Sequence, residues 1–363
     1  MNLLLGADFV YGNARLRARK ADLLRASDYE HLLGKDVDAL LGTLSETPYA
    51  RDVEAALVRE HGIRSLNAAV RNHLARSLEE MRGFYTGPAR ELVDLLLSRF
   101  DLANLVALLR ATLGDTDSPE DALSALNAVG WPGEALADEI LRQHEPAAAV
   151  GLITRWLPDG AQGRALRSAF TAYERTDDFS VFEQAVIAKH REHVVAAAEK
   201  HGRHGASLLE FVRREIDEQN MLLGLRLRAA LEQGEITTLS LDGNAPSGGA
   251  IPVAALEAAV RLPSRAAVAT ELVALGRESW REPLSDWTAS GDVVRLAQAV
   301  ERAWAADAVR LFVSGDPLGI DVPLAFSVAK QTEARNLRLL AEATLRHRDA
   351  QSVRSDLVLL ESM

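Results

Sequence analysis

The sequence contains no cysteine, and that absence excludes disulfide frameworks, thiolate metal sites and cysteine nucleophiles. It also lacks a long apolar run. The longest stretch without charged residues or histidine spans residues 243–256 and contains two prolines, whereas a membrane-spanning helix needs about 20 apolar residues. The amino terminus reaches Asp8 without a basic flank, so it does not resemble a secretory signal. We therefore expect a soluble, cytoplasmic chain with no direct membrane span.

Positive charge is in deficit as well, because 41 basic residues stand against 52 acidic ones and the net charge is −11. Surfaces that bind nucleic acid or anionic membranes need a concentrated excess of lysine and arginine. We therefore expect no nucleic-acid partner, and partner surfaces that are neutral, basic or local.

Signatures of nucleotide and hydrolytic chemistry are missing too. The segment Gly34-Lys35-Asp36 lacks the upstream glycine and the Ser or Thr of a phosphate loop. No Gly-x-Ser-x-Gly elbow occurs anywhere in the chain. We predict no catalytic residue, no cofactor and no metal.

Four histidines fall close together in the sequence: His190, His193, His201 and His204. The first two have the i, i+3 spacing of a helical metal pair, but the order His-Arg-Glu-His differs from the zinc-hydrolase motif. No third ligand has a suitable spacing. We interpret the four as surface histidines of helices, with metal binding as the alternative.

A repeat dominates what the sequence does contain. An acidic residue, two variable residues and an asparagine recur three times, with the asparagines 116 residues apart at positions 104, 220 and 336. An Ala-Val pair precedes each copy by about 35 residues, at positions 69–70, 185–186 and 299–300. Two markers in the same order with nearly the same period indicate three copies of one domain-sized unit.

Helical spacing governs almost the whole chain, and alternating apolar runs of the kind a sheet needs are absent. We interpret the strand-like residues 236–241 as an extended loop, because no second strand could pair with them. The predicted fold class is all-α. The predicted domains are residues 1–115, 116–245 and 246–363.

The repeat helix places an acidic residue and an asparagine on the same face as leucines. Buried polar groups left without hydrogen bonds cost about 1–3 kcal/mol each, so these residues need partners. They could fix packing by bonding to neighbouring helix ends, or they could face a shared cavity. The candidates for either role are Asp101, Asn104, Asp217, Asn220, Glu333 and Asn336.

Three stretches resemble the C subunit of archaeal and bacterial V/A-type ATPases, whose family includes the d subunit of the eukaryotic enzymes. They are residues 8–18 (DFVYGNARLRA), 44–49 (LSETPY) and 96–110 (LLSRFDLANLVALLR), supported by the two later repeat helices. In the first of them, Tyr11, Asn13, Arg15 and Arg17 are family-like positions to which we assign no role.

The resemblance implies three similar helical domains in a pseudo-threefold, funnel-like arrangement on the cytoplasmic face of the membrane. It implies a non-catalytic rotor subunit whose partners are the rotor shaft and the proteolipid ring. It also implies an exposed apolar patch at one end and a polar cavity. Two other classes remain open, a generic helical-repeat scaffold and a helical enzyme with an unrecognised site.

Overall fold

The computed structural model describes residues 2–113, 126, 129–130, 133–143, 145–156, 160–176, 179–242 and 245–359. The structure is 79% helical, and the described residues contain no strand, so the predicted all-α class is confirmed. Residues 236–241 form no helix or strand, as expected for an extended loop. The sequence also predicts a polar linker between the first two copies at residues 115–119, which lie outside the described residues.

The helices of the first half of the chain are α1 (Asn2–Arg19), α2 (Ala26–Leu32), α3 (Val37–Leu44), α4 (Ala50–Leu57), α5 (Ile63–Gly83), α6 (Gly87–Leu113), α7 (Glu134–Leu141), α8 (Pro146–Trp156) and α9 (Gly160–Thr176). Those of the second half are α10 (Phe179–Lys200), α11 (Ala206–Glu232), α12 (Val253–Val260), α13 (Arg265–Leu275), α14 (Arg281–Ser290), α15 (Val293–Ser314), α16 (Asp321–Leu345) and α17 (Ala350–Asp356).

Local chemistry sets several of these boundaries. The Asp292 carboxylate caps α15 by accepting hydrogen bonds from the amides of Val294 and Arg295. Gly291 ends α14 in the left-handed conformation at φ 70°, which a side chain would strain. These two residues therefore fix where α14 ends and where α15 begins.

Six helices form the centre of the fold, which we call the hub. In order they are α5, α6, α10, α11, α15 and α16, and each packs against the next. The last, α16, packs back against α5, which closes the ring. Since α5 and α16 lie near opposite ends of the sequence, the ring is closed by tertiary contacts between these two helices and not by a connecting loop.

The buried apolar residues among the described ones form three cores. One runs from Leu105 to Val186 and another from Met221 to Val300, so each begins in the middle of a long hub helix. The third core contains residues of all six hub helices and joins them to both ends of the chain, including Phe9 and Val358. The division into three domains stays a prediction.

No helix among the described residues is long and apolar enough to cross a bilayer.

Candidate functional site

The repeated asparagines occupy equivalent positions in the structure. Each lies within a long hub helix, is at most 1% exposed, and donates from Nδ2 to a backbone carbonyl further along the chain. The bonds are Asn104 to Val129 (3.4 Å), Asn220 to Pro246 (2.9 Å) and Asn336 to Val358 (2.9 Å). Each asparagine therefore ties its helix to the segment that follows.

The acidic partner in the second copy holds the same segment from the other side. Asp217 is 1% exposed and accepts hydrogen bonds from the amides of Ala250 (3.2 Å) and Ile251 (3.0 Å). The chain approaches so closely that a Cβ at Gly249 would collide with the Asp217 carboxylate. In the first copy, a Cβ at Gly130 would collide with Asp101 in the same way. These carboxylates thus hold glycine-containing loops.

In the third copy the corresponding segment is split between the two ends of the chain. Glu333 accepts a hydrogen bond from the Leu24 amide (2.7 Å), while Asn336 bonds to Val358 in both directions. Leu24 stands two residues before α2, just as Ile251 stands two residues before α12. The motif that holds one loop in the second copy therefore joins both chain ends in the third.

A concavity of about 520 Å³ lies at the centre of the hub. None of the six candidate residues is among the side chains that line it. Two other sets of positions, again 116 residues apart, supply the wall. They are Arg99, Glu215 and Gln331, and Ala103, Gln219 and Arg335. The period that located the asparagines could have located these residues, had it been applied to the neighbouring helix face.

The cavity wall is charged but locally balanced. Arg99 lies 3.9 Å from Glu215 across the wall, and Arg335 lies 3.3 Å from Glu301. Burial raises the pKa of Glu215 and lowers that of Arg99, while the attraction within the pair opposes both shifts. The charge is therefore not the same at all three equivalent positions of either set, although the motif repeats.

A third set of positions spaced by 116 residues joins neighbouring repeats. Ser98 contacts the His190 ring (3.3 Å), Arg214 donates to Asp307 (2.9 Å), and Lys330 contacts the His73 ring (3.1 Å). In each case a long hub helix reaches the next helix of the ring. Sequence reasoning missed these positions, because their residue types differ in every copy.

The joint between α16 and α5 buries a charged network. Lys330 is 2% exposed and bonds to Glu333 (2.8 Å) and to His73 Nε2. The other ring nitrogen of His73 faces Asp52 at 3.0 Å, so this geometry fits a neutral ring that donates from Nδ1 and accepts at Nε2. Tyr49 donates to Glu333 at 2.6 Å. Every ionised member of the network thus has an opposite charge or a donor beside it.

One end of the hub, which we call the base, carries the turns at residues 84–86, 201–205 and 315–320. Asn13 of α1 is 2% exposed and binds two of these turns, donating to Pro317 (2.8 Å) and accepting from the Tyr85 hydroxyl (2.7 Å). Ser207, which follows the turn at residues 201–205, donates a hydrogen bond to Asp321 (2.9 Å), which follows the turn at residues 315–320. This bond joins the remaining turn to the other two. Asn13 therefore has a structural position at the base.

The other family-like positions of α1 are exposed. Arg15 bonds to the Tyr11 hydroxyl (2.6 Å) and lies 4.4 Å from the centre of the Phe84 ring, whereas Arg17 points to solvent. Exposed apolar side chains accompany them at or near the base: Val10 (53% exposed), Tyr11 (60%), Val313 (78%) and Leu318 (43%).

The interpretation of the four histidines as surface residues is wrong for His204, which is 5% exposed. His190 is also partly buried against Ser98, and burial together with the neighbouring His193 and Arg191 lowers its pKa to about 4. Helical periodicity alone did not reveal that α10 and the following turn pack against α6. Within the described ranges, no three acidic or histidine side chains are grouped so that they could hold a metal.

Comparison with known proteins gives a consistent result over nearly the whole chain. The family model for the ATP synthase (C/AC39) subunit matches residues 12–355. The C subunit of the V-type ATP synthase of Thermus thermophilus is 31% identical over 341 residues, covering 92% of this chain and 93% of the relative. The C subunit of the A-type ATP synthase of Haloferax volcanii is 24% identical over 366 residues, covering 98% and 99%.

Proposed function

The chain belongs to the ATP synthase (C/AC39) subunit family, and from that membership we propose that it is a non-catalytic central-stalk subunit that couples a rotor shaft to a proteolipid ring. The shaft enters the central concavity, the base rests on the ring, and the chain sits on the cytoplasmic face of the membrane. Torque then passes through the hub during ion transport linked to ATP hydrolysis or synthesis.

The closed ring of hub helices is the observation that carries this proposal. A part that transmits torque must resist shear between its elements, and a closed ring has no free edge at which one helix can slide away. The buried polar contacts that join the repeats support the same role, because each is satisfied only in one register of the packed helices. The concavity lies inside the ring, where a shaft would contact the three helices that carry the repeated motif, α6, α11 and α16.

The base has the chemistry expected of a docking surface. Val10 and Tyr11 on α1, Val313 near the end of α15 and Leu318 in the turn that follows all expose apolar area. Exposed apolar side chains that lie together at one end of a molecule are typical of a protein interface. We propose that this group contacts the ring.

Two variants test the two surfaces separately. Val313→Asp places a charge on the base, and Ala103→Trp fills part of the cavity. Tagged variants would be expressed in the native host, and their partners recovered from solubilised membranes would be identified by mass spectrometry. We expect Val313→Asp to lose the ring protein and keep the shaft, and Ala103→Trp to do the reverse.

Val294→Asp is the matched control, because this valine is 69% exposed at the start of α15, far from the base. It should recover both partners. If all three variants recover the same proteins as the parent chain, the assignment of these surfaces is wrong. If the parent chain recovers neither partner while the ATPase stays assembled, the scaffold alternative is favoured.

A further inference from the structure

A trough of about 390 Å³ lies where the first half of α11, the last half of α15 and the start of α16 meet. We call it the open trough. Within the described part of the chain, only these three helices and the turn at Arg277 line it. Its apolar lining consists of Ala206, Phe211, Trp304, Ala308, Leu311 and Leu324.

The charged side chains that line the open trough balance one another. Arg214 donates to Asp307 at 2.9 Å, and Arg277 lies 2.6 Å from Glu210. Neither sign of charge is in excess among these four residues. The chemistry of the trough therefore fits apolar side chains, which gain free energy by leaving water, better than it fits an ion.

The repeat gives the open trough a counterpart elsewhere in the hub. The motif helices α11 and α16 correspond at a spacing of 116 residues, as do α16 and α6 at 232, and the Ala-Val pairs relate α5 to α15 at a spacing of 230. The counterpart therefore lies between α16, α5 and the start of α6. The helix α1 occupies this place, because it packs against both α16 and α6 and its Asn13 bonds to Tyr85, just after α5.

The burial of equivalent residues differs between the two places. Leu311 is only partly buried, whereas its equivalent Met81 is 0% exposed. Ala206 is exposed, whereas its equivalent Val322 is also 0% exposed. This difference matches the presence of α1 over one set of helices and the absence of any described helix over the other.

The covered side of α1 indicates which kind of helix fits such a place. Phe9, Asn13 and Leu16 fall at i, i+4 and i+7 on one face and are at most 2% exposed. The outer two fill apolar space, and Asn13 donates to the backbone carbonyl of Pro317 in a turn of the base. Close approach is possible because Gly12 faces Tyr85 without a Cβ, which would collide with the ring.

We propose that the open trough binds an amphipathic helix from another subunit of the ATPase, docked on α11, α15 and α16 as α1 docks on α16, α5 and α6. Its apolar residues recur at i, i+4 and i+7, the spacing by which a helix anchors itself in a groove. A helix is the suitable form of occupant because its backbone groups are satisfied internally and can lie against an apolar lining. The proposal rests on the proposed function only in placing the chain in an ATPase complex.

The absence of cysteine from the chain allows a photocrosslinking test with a single introduced thiol. Ala206→Cys, at the exposed edge of the trough, would be labelled with a benzophenone maleimide within the complex purified from the native host. Crosslinked peptides formed on irradiation would be identified by mass spectrometry. Ala266→Cys is the matched control, because this alanine is exposed on α13, away from the trough.

We expect Ala206→Cys to crosslink to a segment of another subunit whose apolar residues recur at i, i+4 and i+7, and Ala266→Cys not to reach that segment. Adding Ala308→Trp should lower the crosslink yield about tenfold or more, because the indole fills the space that the helix needs. Ala289→Trp, at an exposed position of α14, should leave the yield unchanged.

Leu311→Asp provides a second test that does not depend on packing a larger side chain. This position is partly exposed, so a charge there is tolerated by the isolated chain but opposes the docking of an apolar face. It should lower the crosslink yield as Ala308→Trp does. Melting temperatures equal to that of the parent chain would establish that the variants are folded.

The proposal is overturned if Ala206→Cys forms no crosslink to another subunit of an assembled complex, if the crosslinked segment lacks this spacing, or if neither Ala308→Trp nor Leu311→Asp lowers the yield. Partner recovery with Val313→Asp and Ala103→Trp tests the assignment of ring and shaft separately. Failure of that assignment together with the expected crosslink leaves the trough as a helix site. Success of that assignment without the crosslink overturns the trough alone.

Discussion

The second and third repeats use the same motif for different mechanical tasks. In the second, Asp217 and Asn220 hold a continuous loop between Pro246 and Ile251. In the third, Glu333 and Asn336 hold two segments that are more than 300 residues apart in the sequence. An equivalent backbone position therefore serves as a loop anchor in one repeat and as the closure of the whole chain in the other.

Residue chemistry differs accordingly. The carboxylate of Asp217 binds two backbone amides, which lie close because they are adjacent in the chain. Glu333 is one methylene longer and binds a backbone amide, the Tyr49 hydroxyl and the Lys330 ammonium. The contact that joins the two chain ends thus depends on a buried charge pair. It should therefore be more sensitive to substitution than the loop contact made by Asp217.

The largest expected effect is that of Glu333→Leu. The substitution leaves the ammonium of Lys330 buried without its counter-charge, and breaking a buried pair in this way costs about 3–5 kcal/mol. Asp217→Leu should cost less, about 1–3 kcal/mol, because it leaves only neutral amides unpaired. Urea unfolding followed by circular dichroism measures both changes.

The double variant Lys330→Met/Glu333→Leu separates the charge from the shape of the side chains. It should recover part of the stability lost in Glu333→Leu, since no unpaired charge remains. A double variant as unstable as the single one would mean that the ion pair is not the cause of the loss.

The asparagines allow a finer comparison. Asn336 both donates to and accepts from Val358, whereas Oδ1 of Asn220 has no hydrogen-bond partner among the described residues. We expect Asn336→Leu to cost about 1–3 kcal/mol and Asn220→Leu to cost less. Hydrogen exchange at the Val358 amide should accelerate in Asn336→Leu alone. Equal exchange in the two variants would show that Asn336 does not hold this segment.

The sequence was sufficient to predict the helical class, which depends on local spacing along each helix, and to single out these asparagines, which belong to a motif that recurs every 116 residues. The contact between Lys330 and His73 could not be predicted in the same way. It joins residues 257 positions apart, and the helix faces that meet are decided by the closure of the ring. The cavity residues Arg99 and Glu215 share the period, but their different chemistry concealed it.

Two of the contacts between repeats contain a histidine, Ser98 with His190 and Lys330 with His73. These contacts should weaken as the pH falls, unlike the contact between Arg214 and Asp307. Burial lowers the pKa of His190 to about 4 and also lowers that of His73, which Lys330 lowers further. Folding therefore favours the neutral rings, and their contribution is fully present above the ordinary histidine pKa near 6.5. We expect stability to fall by roughly 1–3 kcal/mol as the pH drops from about 6.5 to 4.

His190→Gln should reduce this pH dependence while changing stability little at pH 8, where the ring is neutral in both states. The measurement is urea unfolding at a series of pH values. His31→Gln provides a control, because His31 is exposed on α2. If His190→Gln keeps the full dependence of the parent chain between pH 6.5 and 4, protonation of His190 is not responsible.

The smallest effect is expected where the joint between α6 and α10 reaches the surface. Arg110 pairs with Glu183 at 2.5 Å, but the arginine side chain is 59% exposed, and exposed pairs contribute at most about 1 kcal/mol because water and salt screen them. Arg110→Gln should therefore change stability by less than about 1 kcal/mol, and the difference should shrink in 1 M salt. A loss comparable to that of Glu333→Leu would mean that the strength of a joint does not depend on the burial of its charges.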